Sequence, residues 1–331
     1  MALKKNVLIT GGAGFIGSHL VDLLIEKGFS VRVIDDLSGG HESNLNLHLN
    51  NPDLIFEKID ICNLKNDNLI FRDLDYVYHF AGKGDIVPSI ENPDHYIQTN
   101  VIGTTKVLEA SKQSNLKKFL YAASSSCYGL ASTPTKEDHL ITNMYPYALS
   151  KYMGELAVMH WNKVYGLNSN SIRIFNAYGP RVRTTGVYGA VFGVFLKQKL
   201  AGKPFTIVGD GDQKRDFLYV TDVVKAFYLS SISDYVGEVY NLGAGNPQTI
   251  NSLVQIMGGD KIHIPKRPGE PDETNADITK IQNHLNWSPE VSFKEGVLNM
   301  LKEIDNWKNA PLWDENKIKE VTKTWFKYMD K

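Results

Sequence analysis

Short apolar runs alternate with longer amphipathic segments through the first half of the chain. Six such runs predict β-strands: Asn6–Thr10, Ser30–Asp35, Leu54–Asp60, Asp75–Phe80, Lys118–Ser124 and Ser169–Phe175. Periodic apolar positions between the runs predict helices over Ile16–Lys27, Pro93–Asn115 and Tyr147–Tyr165. Regular alternation of strand and helix predicts an α/β fold, in which helices cover both faces of a doubly wound parallel sheet.

The pattern changes after about Gly179. Glycine and proline become frequent, in segments such as GDGDQKRDF, NLGAGNPQT and KRPGEPDET. We therefore expect two domains. Residues 1–178 would form the doubly wound sheet, and residues 179–331 would mainly form a smaller mixed α/β domain with a helical tail after Trp307.

Composition narrows the class of protein. The 331 residues are 42% hydrophobic and 22% charged, with a net charge of −1, which indicates a globular protein without a basic surface for nucleic acid. No apolar segment approaches the ~20 residues that cross a bilayer, and the apolar run near the N-terminus is too short for a signal peptide. Cys62 and Cys127 are too few for a disulfide framework or a cysteine-based metal site. We expect a cytoplasmic protein with no metal centre and no membrane contact.

A glycine-rich loop, LITGGAGFIGSHL, directly follows the first predicted strand and opens the first helix. Gly11, Gly14 and Gly17 permit a tight turn and a close approach of the backbone to a pyrophosphate. The N-terminus of the helix supplies unpaired N–H groups and a positive dipole end. The loop therefore predicts a dinucleotide site, to which Phe15 and Ile16 are also assigned.

Two acids, Asp35 and Asp36, end the second predicted strand. An acid at this place accepts hydrogen bonds from the adenosine ribose and repels a 2′-phosphate, so the sequence favours NAD over NADP. The alternative is that Asp35 merely begins a polar loop.

Tyr147 and Lys151 lie four residues apart in YPYALSKYMGE, on one face of a predicted helix. A phenol with a pKa near 10 is a poor base at neutral pH, and a neighbouring ammonium favours its phenolate. The pair is a candidate acid–base unit, although the spacing alone also fits an amphipathic helix with a buried tyrosine.

The motifs, in this order, resemble the extended short-chain dehydrogenases/reductases, and within them the NAD-dependent epimerase/dehydratase family, closest to the UDP-hexose 4-epimerase type. The resemblance extends from Asn6 to about Val297 and rests on TGGAGFIG, KIDICN, HFAG, TNVIGT, ASSSCYG, YALSK, RIFNAYGP, KRDFLYVTDV and KRPGEP. It implies a Rossmann-type sheet, NAD as cofactor and a UDP-sugar as substrate. The further cofactor-binding residues that it implies are Asp60, Ile61, Phe80, Ala81, Gly82, Asn100 and Phe175, together with Tyr147 and Lys151.

The resemblance assigns catalysis to Tyr147, Lys151 and Ser124. Tyr147 would remove a hydroxyl proton while hydride leaves the same carbon, Lys151 would bond the nicotinamide ribose, and Ser124 or its alternative Ser126 would hold the sugar oxygen. The two positions after Ser124 resemble acids in the 4,6-dehydratases but are Ser125 and Ser126 here, so elimination has no obvious general acid. The expected reaction is inversion at C4, by oxidation, rotation of the 4-keto sugar and return of the hydride.

The resemblance also implies a set of substrate-binding residues: Lys83, Ser124, Ser125, Ser126, Asn176, Ala190, Val191, Thr206, Arg215, Arg267, Glu270 and Thr274. Arg215 and Arg267 would clamp the pyrophosphate, and Glu270 would hold the uridine ribose. Thr274 aligns with a bulky tyrosine of hexose-restricted epimerases, so we hypothesise that UDP-N-acetylglucosamine fits as well as UDP-glucose.

Other readings stay open. A lysine at position 83 can bond a uronate, so UDP-glucuronate is an alternative substrate, and a nucleotide-sugar dehydratase uses the same scaffold. From another class, a non-catalytic NAD-binding regulatory protein would keep the fold. The resemblance further implies a homodimer, in which the helices predicted over Pro93–Asn115 and Tyr147–Tyr165 of each subunit form a four-helix bundle.

Overall fold

A computed structural model describes residues 4–182 and 191–329 of the chain. The strands in these ranges are β1 (Asn6–Thr10), β2 (Ser30–Asp35), β3 (Leu54–Lys58), β4 (Tyr76–His79), β5 (Lys118–Ser124), β6 (Ser169–Ile174), β7 (Asn176–Tyr178), β8 (Phe205–Val208), β9 (Lys214–Arg215), β10 (Phe217–Tyr219), β11 (Val239–Leu242), β12 (Gln248–Thr249) and β13 (Lys261–Ile264).

The α-helices of the described ranges are α1 (Phe15–Glu26), α2 (Ile86–Glu91), α3 (Pro93–Ile97), α4 (Thr104–Ser111), α5 (Pro146–Tyr165), α6 (Val191–Leu200), α7 (Val220–Ile232), α8 (Ile250–Met257), α9 (Thr279–Leu285), α10 (Phe293–Lys302), α11 (Glu315–Val321) and α12 (Lys323–Met329). Within these ranges, none is both long enough and apolar enough to cross a bilayer.

The main sheet has the order β11-β6-β5-β4-β1-β2-β3, and its pairs are all parallel. All six predicted strands belong to it, which confirms the doubly wound α/β fold. Because the chain moves outward from β1 in both directions, β1 lies at the switch point where such folds bind ligands. The third strand ends at Lys58 rather than Asp60, since the Asp60 carboxylate accepts a hydrogen bond from the Cys62 N–H and starts a tight turn.

The seventh strand of the sheet, β11, comes from the second half of the chain and was not predicted. It pairs with β6 from Val239↔Ser171 to Leu242↔Ile174. α7 and α9 also return to this layer, where Phe227 and Ile281 are buried in the core that covers β1 and α1. The predicted domain boundary at 178/179 placed β11, α7 and α9 in the second domain. The boundary stays a proposal, and it applies only to the segments after residue 178 that do not return to the sheet.

A second core lies in the smaller unit. It is formed around α6, α8 and α10 and the two-stranded pair β8–β13, with Phe195, Leu253, Met300 and Trp307 fully or almost fully buried. The remaining strand pairs of the described residues are also short, β7 with β10 and β9 with β12.

The helix predicted over Pro93–Asn115 is interrupted. α3 is followed by a π-helical turn, Gln98–Gly103, before α4 continues to Ser111. π-Turns inside helices are frequent at functional sites. This one carries Asn100, whose side chain is buried beside the loop that follows β4.

Candidate active site

The glycine loop between β1 and α1 is packed so closely that side chains would not fit. A Cβ on Gly11, whose φ is +71°, would lie 2.6 Å from the Ala81 nitrogen, and one on Gly17 would lie 2.2 Å from the Gly11 oxygen. Gly14 is the N-cap residue of α1, and its N–H donates to the Gly11 carbonyl at 3.1 Å. Phe15 and Ile16 form the first helical turn, whose N–H groups have no acceptor within the helix. The loop therefore presents backbone donors at the switch point.

Asp35 is buried at the end of β2 and fastens this loop. Its carboxylate accepts hydrogen bonds from the Ala13 N–H at 3.0 Å and the Leu37 N–H at 2.8 Å. Burial raises the pKa of Asp35, and these main-chain donors oppose that shift. Asp36 is exposed and accepts from the Ser38 N–H. Asp35 thus has a structural contact in addition to its expected ribose contact.

The residues expected to contact the adenine, Asp60 and Ile61, follow β3, the strand that pairs with β2. Asp60 caps the turn over Ile61–Asn63. The Ile61 side chain is buried against the π-turn, since a Cβ on Gly103 would lie 2.7 Å from Ile61 Cδ1.

Asn100 holds the loop after β4 rather than pointing freely into the site. Its amide oxygen accepts from the Lys83 N–H at 2.8 Å, and its NH₂ donates to the Lys83 oxygen at 3.0 Å and the Ser150 hydroxyl at 2.9 Å. A Cβ on Gly82 would lie 2.9 Å from the Asn100 oxygen and 3.6 Å from Lys151 Nζ. Phe80 packs on Phe227 with ring centroids 4.6 Å apart. Asn100 therefore acts on this site through the backbone of residue 83.

His79 was not predicted as a site residue, yet it joins the strand ends behind the site. The Ala81 N–H donates to the Thr10 hydroxyl, and the Thr104 hydroxyl donates to the Asn100 carbonyl. Because the Thr104 hydroxyl proton is already used, His79 Nε2 donates to Thr104 at 2.9 Å, while Nδ1 lies 2.6 Å from the Thr10 hydroxyl. Complete burial lowers the pKa of His79 to about 3, so the ring is neutral with its proton on Nε2.

Two serine–tyrosine pairs stand side by side at the end of β5. The Tyr147 hydroxyl is hydrogen-bonded to Ser124, and the Tyr145 hydroxyl is hydrogen-bonded to Ser126. The two phenol rings are parallel, with an interplanar angle of 6° and centroids 6.4 Å apart. Ser124 also accepts from the Ser126 N–H, which fixes the turn that begins at Ser125. The geometry thus assigns Ser124, and not Ser126, to Tyr147.

Burial dominates the titration of the candidate acid–base pair. It raises the pKa of Tyr147 to about 12, against the hydrogen bond from Ser124, and lowers the pKa of Lys151 to about 7, against the charge of Glu155. In the protein without cofactor, burial therefore outweighs the expected lowering of the Tyr147 pKa by the Lys151 ammonium. In the described part of the chain, no acceptor takes a hydrogen bond from Lys151 Nζ, which lies over the Tyr121 ring at 4.5 Å.

A buried ion pair supports the helix behind Lys151. Glu155, one turn further along α5, accepts from Arg173 Nε at 3.0 Å, from Arg173 Nη2 at 2.5 Å and from the Ser171 hydroxyl at 2.9 Å. Arg173 Nη1 donates to the Tyr128 hydroxyl at 2.6 Å and the Glu137 carbonyl at 2.9 Å. The pair ties α5 to β6.

The substrate side gathers several predicted residues at the ends of β7 and β9. The Thr274 hydroxyl donates to the Asn176 amide oxygen at 2.8 Å and accepts from the Asp216 N–H at 3.1 Å. Arg215 Nη2 donates to Glu270 Oε1 at 3.0 Å, and Arg267 Nε lies 4.0 Å from Glu270 Oε2. The expected clamp residues are therefore neighbours.

Other predicted contacts change or lie elsewhere. Thr206 lies in the second core, where its N–H donates to the Gln198 amide oxygen and its hydroxyl accepts from the Gln198 NH₂, so its contact to the nucleotide stays a prediction. Val191 begins α6 and packs on the same core. Phe175 is buried with Cys127 and Tyr128. Ala190 lies outside the described residues.

Nothing described here supports cysteine or metal chemistry. Burial raises the pKa of the Cys127 thiol to about 12, so the thiolate is not populated at neutral pH. Over residues 4–182 and 191–329, no group of three His, Cys, Asp or Glu side chains is arranged to hold a metal ion.

A switch-point glycine loop, a buried acid after β2 and a Ser–Tyr–Lys cluster beside it define a dinucleotide-dependent enzyme of the short-chain dehydrogenase/reductase type. The family model described as GDP-mannose 4,6 dehydratase matches residues 8–300. The chain belongs to this NAD-dependent epimerase/dehydratase family, as its motifs predicted.

Relatives and solved structures agree with the family. A putative UDP-glucose 4-epimerase of Methanocaldococcus jannaschii is 36% identical over 91% of this chain and 97% of its own. A UDP-N-acetylglucosamine 4-epimerase of Methanobrevibacter ruminantium M1, solved with UDP-N-acetylmuramic acid, is 35% identical with a TM-score of 0.86, over 92% and 99% of the two chains. A UDP-glucuronic acid 4-epimerase of Bacillus cereus, solved with UDP-glucuronic acid and NAD, is 32% identical with a TM-score of 0.85, over 91% and 99%. The predicted fold, enzyme class and cofactor, NAD, are confirmed.

Proposed function

We propose that the protein inverts C4 of a UDP-sugar, with NAD as a retained cofactor. The observation that carries this proposal is the Ser124–Tyr147 hydrogen bond one helical turn from Lys151, whose Nζ has no acceptor among the described residues. A base, a partner for the sugar oxygen and a group for the nicotinamide ribose are thus present in one place.

The residues at the switch point fit NAD. Gly11 and Gly17 allow the approach of a pyrophosphate that any side chain would block, and Asp35 places a buried acid where the adenosine ribose would lie. Since no described residue accepts a hydrogen bond from Lys151 Nζ, its N–H donors are available for the nicotinamide ribose. When bound, NAD accepts the hydride from C4 and returns it, and its positive ring favours the Tyr147 phenolate.

The protein's own steps concern a proton. Ser124 and Tyr147 hold the 4-hydroxyl, and Tyr147 takes its proton as the C4 hydride departs. The 4-keto sugar turns in the pocket and exposes its other face. Tyr147 then returns the proton to O4, so no net proton or electron is consumed.

Elimination is disfavoured by the side chains after Ser124. Ser125 and Ser126 stand where a dehydratase needs acids, and the Ser126 hydroxyl is hydrogen-bonded to Tyr145. A regulatory protein without catalysis would have no reason to retain the complete Ser124, Tyr147 and Lys151 set. Both facts support epimerisation over the alternatives.

The sugar is proposed from two positions. Thr274 is small and held between Asn176 and Asp216, which supports room for an N-acetyl group at C2. Lys83 has a half-buried side chain and a backbone fixed by Asn100, so UDP-glucuronate stays the second candidate.

NAD-loaded protein should be incubated with UDP-glucose, UDP-N-acetylglucosamine and UDP-glucuronate and the products followed by proton NMR. Epimers at equilibrium support the proposal, and an accumulating 4-keto sugar contradicts it. Conversion of UDP-glucose without conversion of the N-acetyl substrate would refute the assignment of Thr274.

We also propose a homodimer through α5 and the segment of α3 and α4. Leu149, Met153, Leu156 and Val164 form an exposed apolar stripe on α5 at helical spacing. Light scattering should give a mass of about twice the 37.1 kDa chain, which Leu156→Glu lowers to that of one chain. Leu298→Glu, at an exposed position on α10, is the control that should leave the mass unchanged.

The two free cysteines suit a reducing compartment, so we propose the cytoplasm as the location of the protein.

A further inference from the structure

The C-terminal helix α12 lies beyond the part of the chain that matches the family, since that match ends at residue 300. Trp325 on this helix is 3% exposed, although the helix has only seven residues. Its indole is buried against the substrate side of the site and not in the second core.

Trp325 contacts two functional segments at once. Its Nε1–H donates to the Pro268 carbonyl at 2.7 Å, and its ring centroid lies 5.9 Å from that of Tyr145. Met329, one turn further on, packs on the same loop, since a Cβ on Gly269 would lie 3.1 Å from Met329 Cε.

Pro268 and Gly269 stand between the two expected nucleotide ligands, Arg267 and Glu270. The start of this loop is fixed by the pairing of β13 with β8, which ends at Ile264. Its far end is fixed where the Lys214 N–H donates to the Asp272 carbonyl. The indole hydrogen bond fixes the centre.

On its other side, the Trp325 indole contacts Tyr145, the neighbour of the proposed catalytic residue Tyr147. Tyr145 stacks on Tyr147, and the charges of Glu270 and Arg215 act on its hydroxyl. Thr324 of α12 also donates to Glu91 at the end of α2, 3.2 Å away. α12 therefore spans from the loop at Pro268 to the helix that follows Lys83.

We propose that Trp325 is a positioning residue for the nucleotide end of the substrate, which it serves by holding the Arg267–Glu270 loop. The inference deepens the proposed function and rests on it. Free in solution, this loop would sample many conformations, and ordering it would reduce the affinity for the nucleotide. The tail helix orders the loop in advance.

The test is the affinity of NAD-loaded protein for UDP, measured by calorimetry, in wild type and in Trp325→Phe. Phenylalanine keeps a ring against Tyr145 but removes the donor to Pro268. We expect the Kd for UDP to rise about fivefold, the usual worth of one hydrogen bond. The KM for the UDP-sugar should rise in parallel while kcat stays within about twofold.

Trp307→Phe is the matched control. Trp307 is fully buried in the second core, and its Nε1 has no hydrogen-bond partner among the described residues. This variant should leave the Kd for UDP unchanged. Met329→Ala, which loosens the same loop without touching the indole, should raise the Kd in the same direction by less.

An unchanged Kd in Trp325→Phe, or an equal rise in Trp307→Phe, would overturn the inference and leave the proposed function intact. Wild-type protein that binds NAD but not UDP would contradict the proposed function, and the inference with it.

Discussion

Two arginine–glutamate pairs show how the cofactor half and the substrate half of the molecule differ. Arg173 and Glu155 are 6% and 4% exposed, and the oxygens of Glu155 accept from Arg173 and Ser171. Arg215 and Glu270 are 11% and 26% exposed, and the Arg215 guanidinium donates to Glu270 and to its neighbour Lys214. The first pair is enclosed by protein partners, whereas Arg215 uses only part of its five N–H donors on the described residues, in keeping with its proposed contact to the pyrophosphate.

The same contrast extends to the backbone. Seven parallel strands fix the cofactor side, so the glycine loop and the Ser124–Tyr147 pair start from rigid strand ends. The substrate side is built from two-stranded pairs and from loops whose side chains hold one another. The groups that we propose for the cofactor therefore start from the sheet, and the groups that we propose for the sugar nucleotide lie on the loops.

The largest effect is expected at the catalytic tyrosine. Tyr147→Phe removes the group that we propose takes the O4 proton, so kcat should fall about 10³-fold. Tyr145→Phe is the matched control, since it keeps the parallel rings and loses only the bond to Ser126. We expect it to lose less than about tenfold. Equal losses in the two variants would contradict the assignment of Tyr147, and so would full activity of Tyr147→Phe.

The next largest effect concerns the buried pair. Arg173→Met leaves the Glu155 charge buried, with the Ser171 hydroxyl as its one remaining side-chain donor among the described residues, so the free energy of unfolding should fall by roughly 3 kcal/mol. Urea unfolding measures this loss. The exposed pair Lys4–Asp53 is the control, and Lys4→Met should cost less than about 1 kcal/mol. Similar costs at both sites would contradict a structural role for Arg173.

Arg215→Met should affect substrate binding more than stability, the opposite of Arg173→Met. Its unfolding free energy should change by less than about 1 kcal/mol, because the pair with Glu270 is partly solvated. The KM for the UDP-sugar should rise roughly tenfold, since a charge-assisted contact to the pyrophosphate is lost. Initial-rate kinetics on folded protein measure it. A loss of stability without a change in KM would place Arg215 with the structural pair.

The smallest effect is a pH-dependent gain in stability. Burial lowers the pKa of Lys151 to about 7 from 10.5, so between these pH values the unfolded chain binds more protons at this group than the folded chain. The stability of NAD-free protein at this site therefore rises with pH across that window. Lys151→Met should be more stable than wild type by about 1 kcal/mol below pH 7, and the gap should close toward pH 10. Thermal unfolding over this pH range tests the sign; a gap that widens with pH would contradict the buried ammonium.

Much of the cofactor side could be predicted because its signals are local. A strand, a glycine loop and an acid at the next strand end are adjacent in the chain, and a tyrosine and lysine at helical spacing share one face. β11 could not be predicted in the same way, because four residues in a glycine-rich segment join the sheet only through pairing with β6. Tyr145 and Trp325 were missed since their roles depend on contacts between distant segments. The hydrogen bonds between Thr206 and Gln198 could not be predicted either, because a family position says nothing about the partner of its side chain.

The central claim is that one site removes and returns the same hydrogen at C4. UDP-N-acetylglucosamine carrying deuterium at C4 should be incubated with NAD-loaded protein in ordinary water, and both epimers analysed by NMR and mass spectrometry. The account predicts an equilibrium mixture in which deuterium is retained at C4 of substrate and product, with conversion by Tyr147→Phe slowed about 10³-fold. Exchange of the C4 deuterium for solvent hydrogen, or formation of a 4-keto product without an epimer, would contradict it.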